Sequence, residues 1–284
     1  MRLKTRHIFL ILATMWLAAG CRSTAPSRAT GTPDSPSTSS VVTLNVSAAA
    51  SLTEAFAEIG AQFEETHSGV KVVFNFAGSQ QLAQQILEGA PEDVFASANQ
   101  KQMDAVISSG LISADTVEPF AHNRLVIIYP KDNPAKITAL QDLAKTGLRL
   151  VLAAKEVPVG QYSLDFLDLA SQDPSLGPDY QQAVLKNVVS YEENVKAVLA
   201  KVELGEADGG IVYTSDLGNV IAAQGDAQVG KLEIPDALNV IATYPIAPIL
   251  GSEHEALSKE FIQFVLSSEG QAILGKYGFL PVEK

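Results

Sequence analysis

The chain has 284 residues and one cysteine, Cys21, so no disulfide can form within it. Its four histidines, His7, His67, His122 and His254, show no spacing that suits a metal ion. Neither a G-x-S-x-G elbow nor a G-x-G-x-x-G loop occurs. Gly225 to Lys231 has the spacing of a phosphate loop, but Leu232 stands where Ser or Thr should hold the metal, and no convincing strand precedes it. After Leu17 no apolar run is long enough to cross a bilayer, and no internal repeat is present. Cations are scarce: 20 Lys and Arg stand against 32 Asp and Glu, a formal charge of −12. That balance argues against nucleic acid or anionic lipid as a partner. Any small anion would have to be held by local dipoles, not by the overall field. Paired acids such as Glu64-Glu65 and Glu192-Glu193 read as solvated helix faces.

Residues 1 to 20 read as a targeting segment. Arg2, Lys4, Arg6 and His7 form a basic start, Ile8 to Leu17 a short apolar stretch, and Ala18-Ala19-Gly20 a small-residue exit. Leu17 to Cys21 resembles a lipoprotein signal, in which the cysteine receives lipid and becomes the new N-terminus; Ala18 stands where leucine is commonest. Lipid attachment also gives a lone exported cysteine a use. Loss of the three leader cations takes the charge from −12 to −15. Residues 21 to 40 are rich in Ser, Thr, Pro and Gly and read as a flexible tether. The expected location is therefore outside the cytoplasm, in a periplasm or on the cell surface, with the membrane reached through Cys21 alone.

From Val41 onward short apolar strands alternate with helical patterns, the signature of α/β architecture. Strands are expected at Val41 to Val46, Val70 to Phe76, Asp93 to Ala96, Leu125 to Tyr129, Leu148 to Ala154, Gly209 to Tyr213 and Tyr244 to Leu250. Helical stripes run through Leu52, Phe56, Ile59 and Phe63, through Leu82 and Ile86, and through Val195, Val198, Leu199 and Val202. Further stripes follow at Leu257, Phe261, Phe264 and Val265, then at Ile273 and Leu274. Pairing of Leu125 to Tyr129 with Tyr244 to Leu250 would make a double crossover between two lobes, with a cleft for a small ligand. The expected lobes are 41–123 with 246–284, and 124–245.

Several helix starts have a common chemistry. Ser51 with Glu54, and Ser190 with Glu193, fit the S-x-x-E capping box. Ser79 precedes a helical pattern, and Pro158 suits a first helical position because it has no amide to leave unpaired. The start of a helix carries free N–H groups and a fraction of positive charge, which suits an anion. Taken singly, each of these is explained as well by local capping, and Tyr213 as well by packing within its strand.

Together and in order, six stretches resemble the molybdate-binding proteins of bacterial ABC transporters. They are Ala48 to Thr53, Phe76 to Ser79, Gly89 to Phe95, Val157 to Gly160, Glu193 to Val195 and Gly210 to Asp216. The resemblance spans nearly all of Val41 to Leu280. It implies a bilobed periplasmic-binding fold of type II: two α/β lobes, a two-strand hinge, and a tetrahedral oxyanion in the cleft. It further implies that Ser51 and Ser79 each give an amide and a hydroxyl, Val159 and Val195 a backbone amide, and Tyr213 its phenol. Molybdenum would be bound as the oxyanion by these five residues, with no free cation site and no cofactor. The family often has alanine at the position of Val159 and, in some members, serine at that of Gly78, whose glycine is expected to make the loop more permissive. Seven neutral donors at about 1.5–3 kcal/mol each give roughly 10–20 kcal/mol gross. Nanomolar capture needs about 12 kcal/mol, and ordering opposes it.

The implied role is that of a monomeric, non-enzymatic binding component that captures molybdate or tungstate and delivers it to a membrane permease. Sulfate and phosphate are the more distant oxyanion alternatives. An enzyme on the same scaffold, such as a porphobilinogen-polymerising transferase, would need a cysteine inside the folded region. A regulator's sensing domain would need a DNA-binding segment. Cys21→Ser is expected to move the protein from the membrane to the soluble fraction on cell fractionation; continued membrane retention would refute lipid attachment.

Overall fold

The structure is a computed structural model that describes residues 41–217 and 228–282. Cys21, the targeting segment, the tether and Gly225 lie outside the described residues. The described residues belong to one compact unit.

Its first half is built from strand–helix repeats. β1 (Val42–Ala49) leads through a 3₁₀ turn (Ala50–Leu52) into α1 (Thr53–Thr66), and β2 (Val70–Ala77) leads into α2 (Ser79–Leu87). β3 (Val94–Ala96) and α3 (Gln100–Ser108) follow. The long β4 (Glu118–Pro130) then carries the chain into β5 (Leu150–Ala153), α4 (Pro158–Gln172) and α5 (Tyr180–Lys186). Next come β6 (Val188–Glu192), α6 (Val195–Glu203), β7 (Gly209–Tyr213) and β8 (Val229–Glu233). β9 (Ile241–Pro248) returns the chain to the first half, which α7 (Glu255–Leu266) and α8 (Ser268–Lys276) complete.

Among the described residues the strands run in the order β2-β1-β3-β9-β4-β7-β5-β6, with β8 also on β4. β1 pairs in parallel with β2 and β3, and β5 in parallel with β6 and β7. Parallel strands followed by helices place their carboxyl-end loops on one side, and an opening between such loop sets is where ligands of open α/β sheets bind.

The connection between the halves differs in register from the sequence expectation. β4 and β9 do pair, antiparallel, but through Glu118–Arg124 and Ile241–Ile246. Leu125 to Tyr129 instead pair with β7 and β8. One continuous strand thus serves both halves, changing neighbours between Arg124 and Leu125. Its N-terminal portion, Glu118 to Arg124, is less uniformly apolar and so lacks the sequence signature of a buried strand.

The helical stripes form the core as their periodicity predicts. Leu52, Phe56, Ile59 and Phe63 are wholly buried, as are Val198 and Val202. Phe261 of α7 meets Phe63 edge-on at 5.3 Å and Phe56 at 6.2 Å, tying the C-terminal helices to α1. Phe261→Ala leaves a cavity in this cluster and is expected to lower unfolding stability by about 3–5 kcal/mol, readable in urea denaturation.

Candidate functional site

Ser51, Ser79, Val159, Val195 and Tyr213 line one pocket. Its remaining walls are mostly small, including Ala49, Ala50, Ala77, Gly78 and Ala98, and among the described residues no charged side chain lines it. The empty space there, open solvent included, is about 210 Å³.

Four of the five, Ser51, Ser79, Val159 and Val195, reach the pocket near the start of a helical element. Ser51 lies in the 3₁₀ turn before α1, and its expected capping box is absent. The N-cap of α1 is Leu52, with no side-chain cap bond, and Ser51 Oγ lies 2.9 Å from the Tyr244 hydroxyl. Glu54 accepts both of its bonds from Lys196 Nζ, each at 3.0 Å. A long-range partner outcompetes the local one, so Ser51 faces the pocket and not its own helix.

Ser79 is the first residue of α2, behind the N-cap Gly78, and its Oγ accepts from the Ala98 amide at 3.0 Å. A backbone N–H can only donate, so the Ser79 proton stays available. Val159 follows Pro158 at the start of α4, as the proline predicts. Val195 is the first residue of α6, but its helix is capped by Asn194, whose Oδ1 accepts from Ala197 N at 3.0 Å. Ser190 is occupied elsewhere, with Glu192 and Lys201, so the second capping box is also absent. Being first-turn residues, Ser79, Val159 and Val195 have amides without an acceptor in their own helices.

Tyr213 ends β7 and is about 1% exposed. Its hydroxyl is buried without a hydrogen-bond partner among the described residues. Burial pushes its pKa well up, so the phenol keeps its proton and can donate. An orphaned buried hydroxyl costs about 1–3 kcal/mol unless something fills its bonding capacity.

The two halves also touch directly. Gln80 Nε2 donates to the Glu193 carbonyl at 2.8 Å, and Gln102 Nε2 to the Glu156 carbonyl at 3.1 Å. Lys196, next to Val195, is held between Glu54 and Asp216, whose Oδ1 lies 3.5 Å from its Nζ. Burial raises the Asp216 pKa to about 6, against the pull of Lys196 and of the Tyr213 N–H. The cation beside the pocket is therefore satisfied by acids of this chain.

Gly78 acts sterically, not by conformational freedom. Its φ of −60° and ψ of 137° are open to any residue, yet an added Cβ would lie 2.5 Å from the Glu193 carbonyl across the opening. The paired acids are likewise engaged rather than simply solvated. Glu64 accepts from the Val72 amide at 2.8 Å, and Glu192, on a strand and not a helix, from Lys201 at 2.6 Å. Gly230 and Lys231 lie within β8, which removes the phosphate-loop reading. Among the described residues no group of three or more His, Cys, Asp and Glu side chains is placed to hold a metal ion.

Sequence reasoning missed Asn123 and Tyr244, both buried beside Ser51 and Ser215. The available signal was an asparagine, Asn123, just ahead of the apolar run Leu125 to Tyr129.

Residues 44–280 match the family model described as bacterial extracellular solute-binding protein. Over 271 residues the chain is 36% identical to the molybdate-binding protein ModA of Mycobacterium tuberculosis, covering 94% of this chain and 95% of that one. Two solved structures show the likeness of fold alone. The periplasmic molybdate-binding protein of Azotobacter vinelandii superposes with a TM-score of 0.71 at 20% identity, covering 84% of this chain and 100% of that one. The sulfate-binding protein SubI of M. tuberculosis gives 0.74 at 17% identity, covering 85% and 88%.

Gly78→Ala is expected to weaken ligand capture by obstructing the approach of Glu193, with little change in melting temperature. Unchanged affinity in a titration would show that the close approach is unnecessary.

Proposed function

Because the chain belongs to the bacterial extracellular solute-binding proteins, we propose that it is the substrate-binding component of a molybdate importer. The observation that carries this reading is the pocket itself. Among the described residues, helix-start amides from both halves, two serine hydroxyls and an unpartnered buried phenol converge there without one charged side chain. Such a set offers hydrogens from several directions, which suits a compact oxyanion with acceptors at every corner. The 36% identity to a molybdate-binding protein over most of both chains supports the choice of ligand.

In this reading Ser51 and Ser79 give amide and hydroxyl, Val159 and Val195 give amides, and Tyr213 gives its phenol. Helix-start dipoles supply the positive potential that lysine or arginine would otherwise bring. Neutral donors also favour release, since parting of the halves strands no buried fixed charge. The proposed lobes are 41–123 with 246–284, and 124–245, hinged on β4 and β9. The protein acts as a monomer without cofactor or enzymatic activity, is anchored in the periplasm or at the cell surface through lipidated Cys21, and hands its cargo to a membrane permease. Tungstate is the near alternative, because it has almost the size and charge of molybdate and hydrogen bonds separate the two poorly. Sulfate is smaller and would fit a rigid ring of donors badly.

Calorimetric titration of the chain without residues 1 to 40 against molybdate, tungstate, sulfate and phosphate tests the reading. The expected result is tight binding of the first two; preference for sulfate would displace it. Ser51→Ala combined with Ser79→Ala is expected to weaken molybdate binding by more than about tenfold while the fold survives.

A further inference from the structure

We infer that Asn123 and Tyr244 are positioning residues that set the direction of the Ser51 hydroxyl, turning it into an obligatory donor toward the pocket. This rests on the proposed oxyanion reading and goes beyond it, because neither residue lines the pocket.

Asn123 is wholly buried where β4 changes neighbours. Its Oδ1 lies 3.0 Å from Arg124 N and 3.4 Å from Ser215 N. Backbone amides can only donate, so this end of the side chain must be the oxygen. Thr214 Oγ1 donates to the same oxygen at 3.1 Å. The Nδ2 end is thereby turned toward Ser215 Oγ at 2.8 Å and the Tyr244 hydroxyl at 3.3 Å.

An amide nitrogen has no lone pair to offer, so Tyr244 accepts there and its own proton must go elsewhere. Ser51 Oγ, at 2.9 Å, is the hydrogen-bonded neighbour placed to accept it. Once Ser51 accepts from Tyr244, its single proton is free to point into the pocket. Burial pushes the Tyr244 pKa up, so the phenol is not lost to ionisation. Ser79 reaches the same state by a shorter route, accepting from the Ala98 amide. Both serines therefore have an acceptor site filled by a group that can only donate to them, and both present O–H to the ligand. The Asn123–Tyr244–Ser51 chain also joins the strand-switch point to the pocket, and Asn123 reaches Ser215 just after β7.

The test is a double-mutant cycle read by calorimetric titration of the full chain with molybdate, using Tyr244→Phe, Ser51→Ala and the pair. Phenylalanine keeps the ring contacts of Tyr244 with Phe120, Tyr213 and Phe279. With Ser51 present, Tyr244→Phe is expected to weaken binding about five- to tenfold; with Ser51→Ala in place, the same change should cost less than about twofold. A merely structural Tyr244 would cost the same in both backgrounds, and that additivity would overturn the relay.

Asn123→Asp provides a second arm, because an ionised carboxylate accepts and so draws the Tyr244 proton away from Ser51. Its penalty should largely vanish when Tyr244→Phe is also present; a penalty that persists would mark simple charge repulsion and count against the relay. If the unaltered protein gives no heat with molybdate, the proposed function itself fails. Normal binding with additive penalties removes only the relay.

Discussion

The structure depends on satisfying buried N–H and O–H groups without a counter-charge. A helix start leaves amides with no partner in its own backbone, and here α2, α4 and α6 begin at the wall of one pocket. Their side chains explain little of this. Val159 and Val195 are buried apolar residues whose contribution lies in the backbone. Small neighbours such as Ala49, Ala77 and Gly78 are needed because only they let the backbone groups crowd around so little space.

The same constraint shapes what surrounds the pocket. Lys196, a cation near the pocket, is clamped by Glu54 from the first half of the fold and by buried Asp216 from the second. That ion pair and the glutamine bonds to Glu193 and Glu156 hold the halves together around a neutral centre. The positive potential for an anion in a chain with a net charge of −12 comes, in the proposed function, from backbone dipoles at the helix starts. In the proposed function this separates holding the anion from holding the protein closed. The first is done by neutral donors, the second by charged and amide side chains outside the pocket.

Much of this was legible in the sequence, for reasons that differ from residue to residue. The stripe Leu52, Phe56, Ile59, Phe63 and the run Gly209 to Tyr213 were plain because burial imposes a period on side-chain polarity. Pro158 marked a helix start because it lacks the N–H that such a position leaves unpaired. The two S-x-x-E patterns misled. Local spacing makes a capping box possible, but Glu54 found Lys196, 142 residues away, and Ser190 found Lys201. Gly78 misled differently: the residue mattered, but for the space beside Glu193 and not for its own backbone angles.

The sequence by itself determined the alternation of strands and helices, the faces they bury and the small-residue turns, since each follows from side-chain chemistry within a few neighbouring positions. It also carried the five pocket residues, through the resemblance of short stretches taken together. Only the tertiary structure decided that β4 changes neighbours after Arg124, that Ser51 meets Tyr244, and that Asn123 orients both. Those contacts join residues far apart along the chain, and which donor meets which acceptor is fixed by packing and not by local pattern.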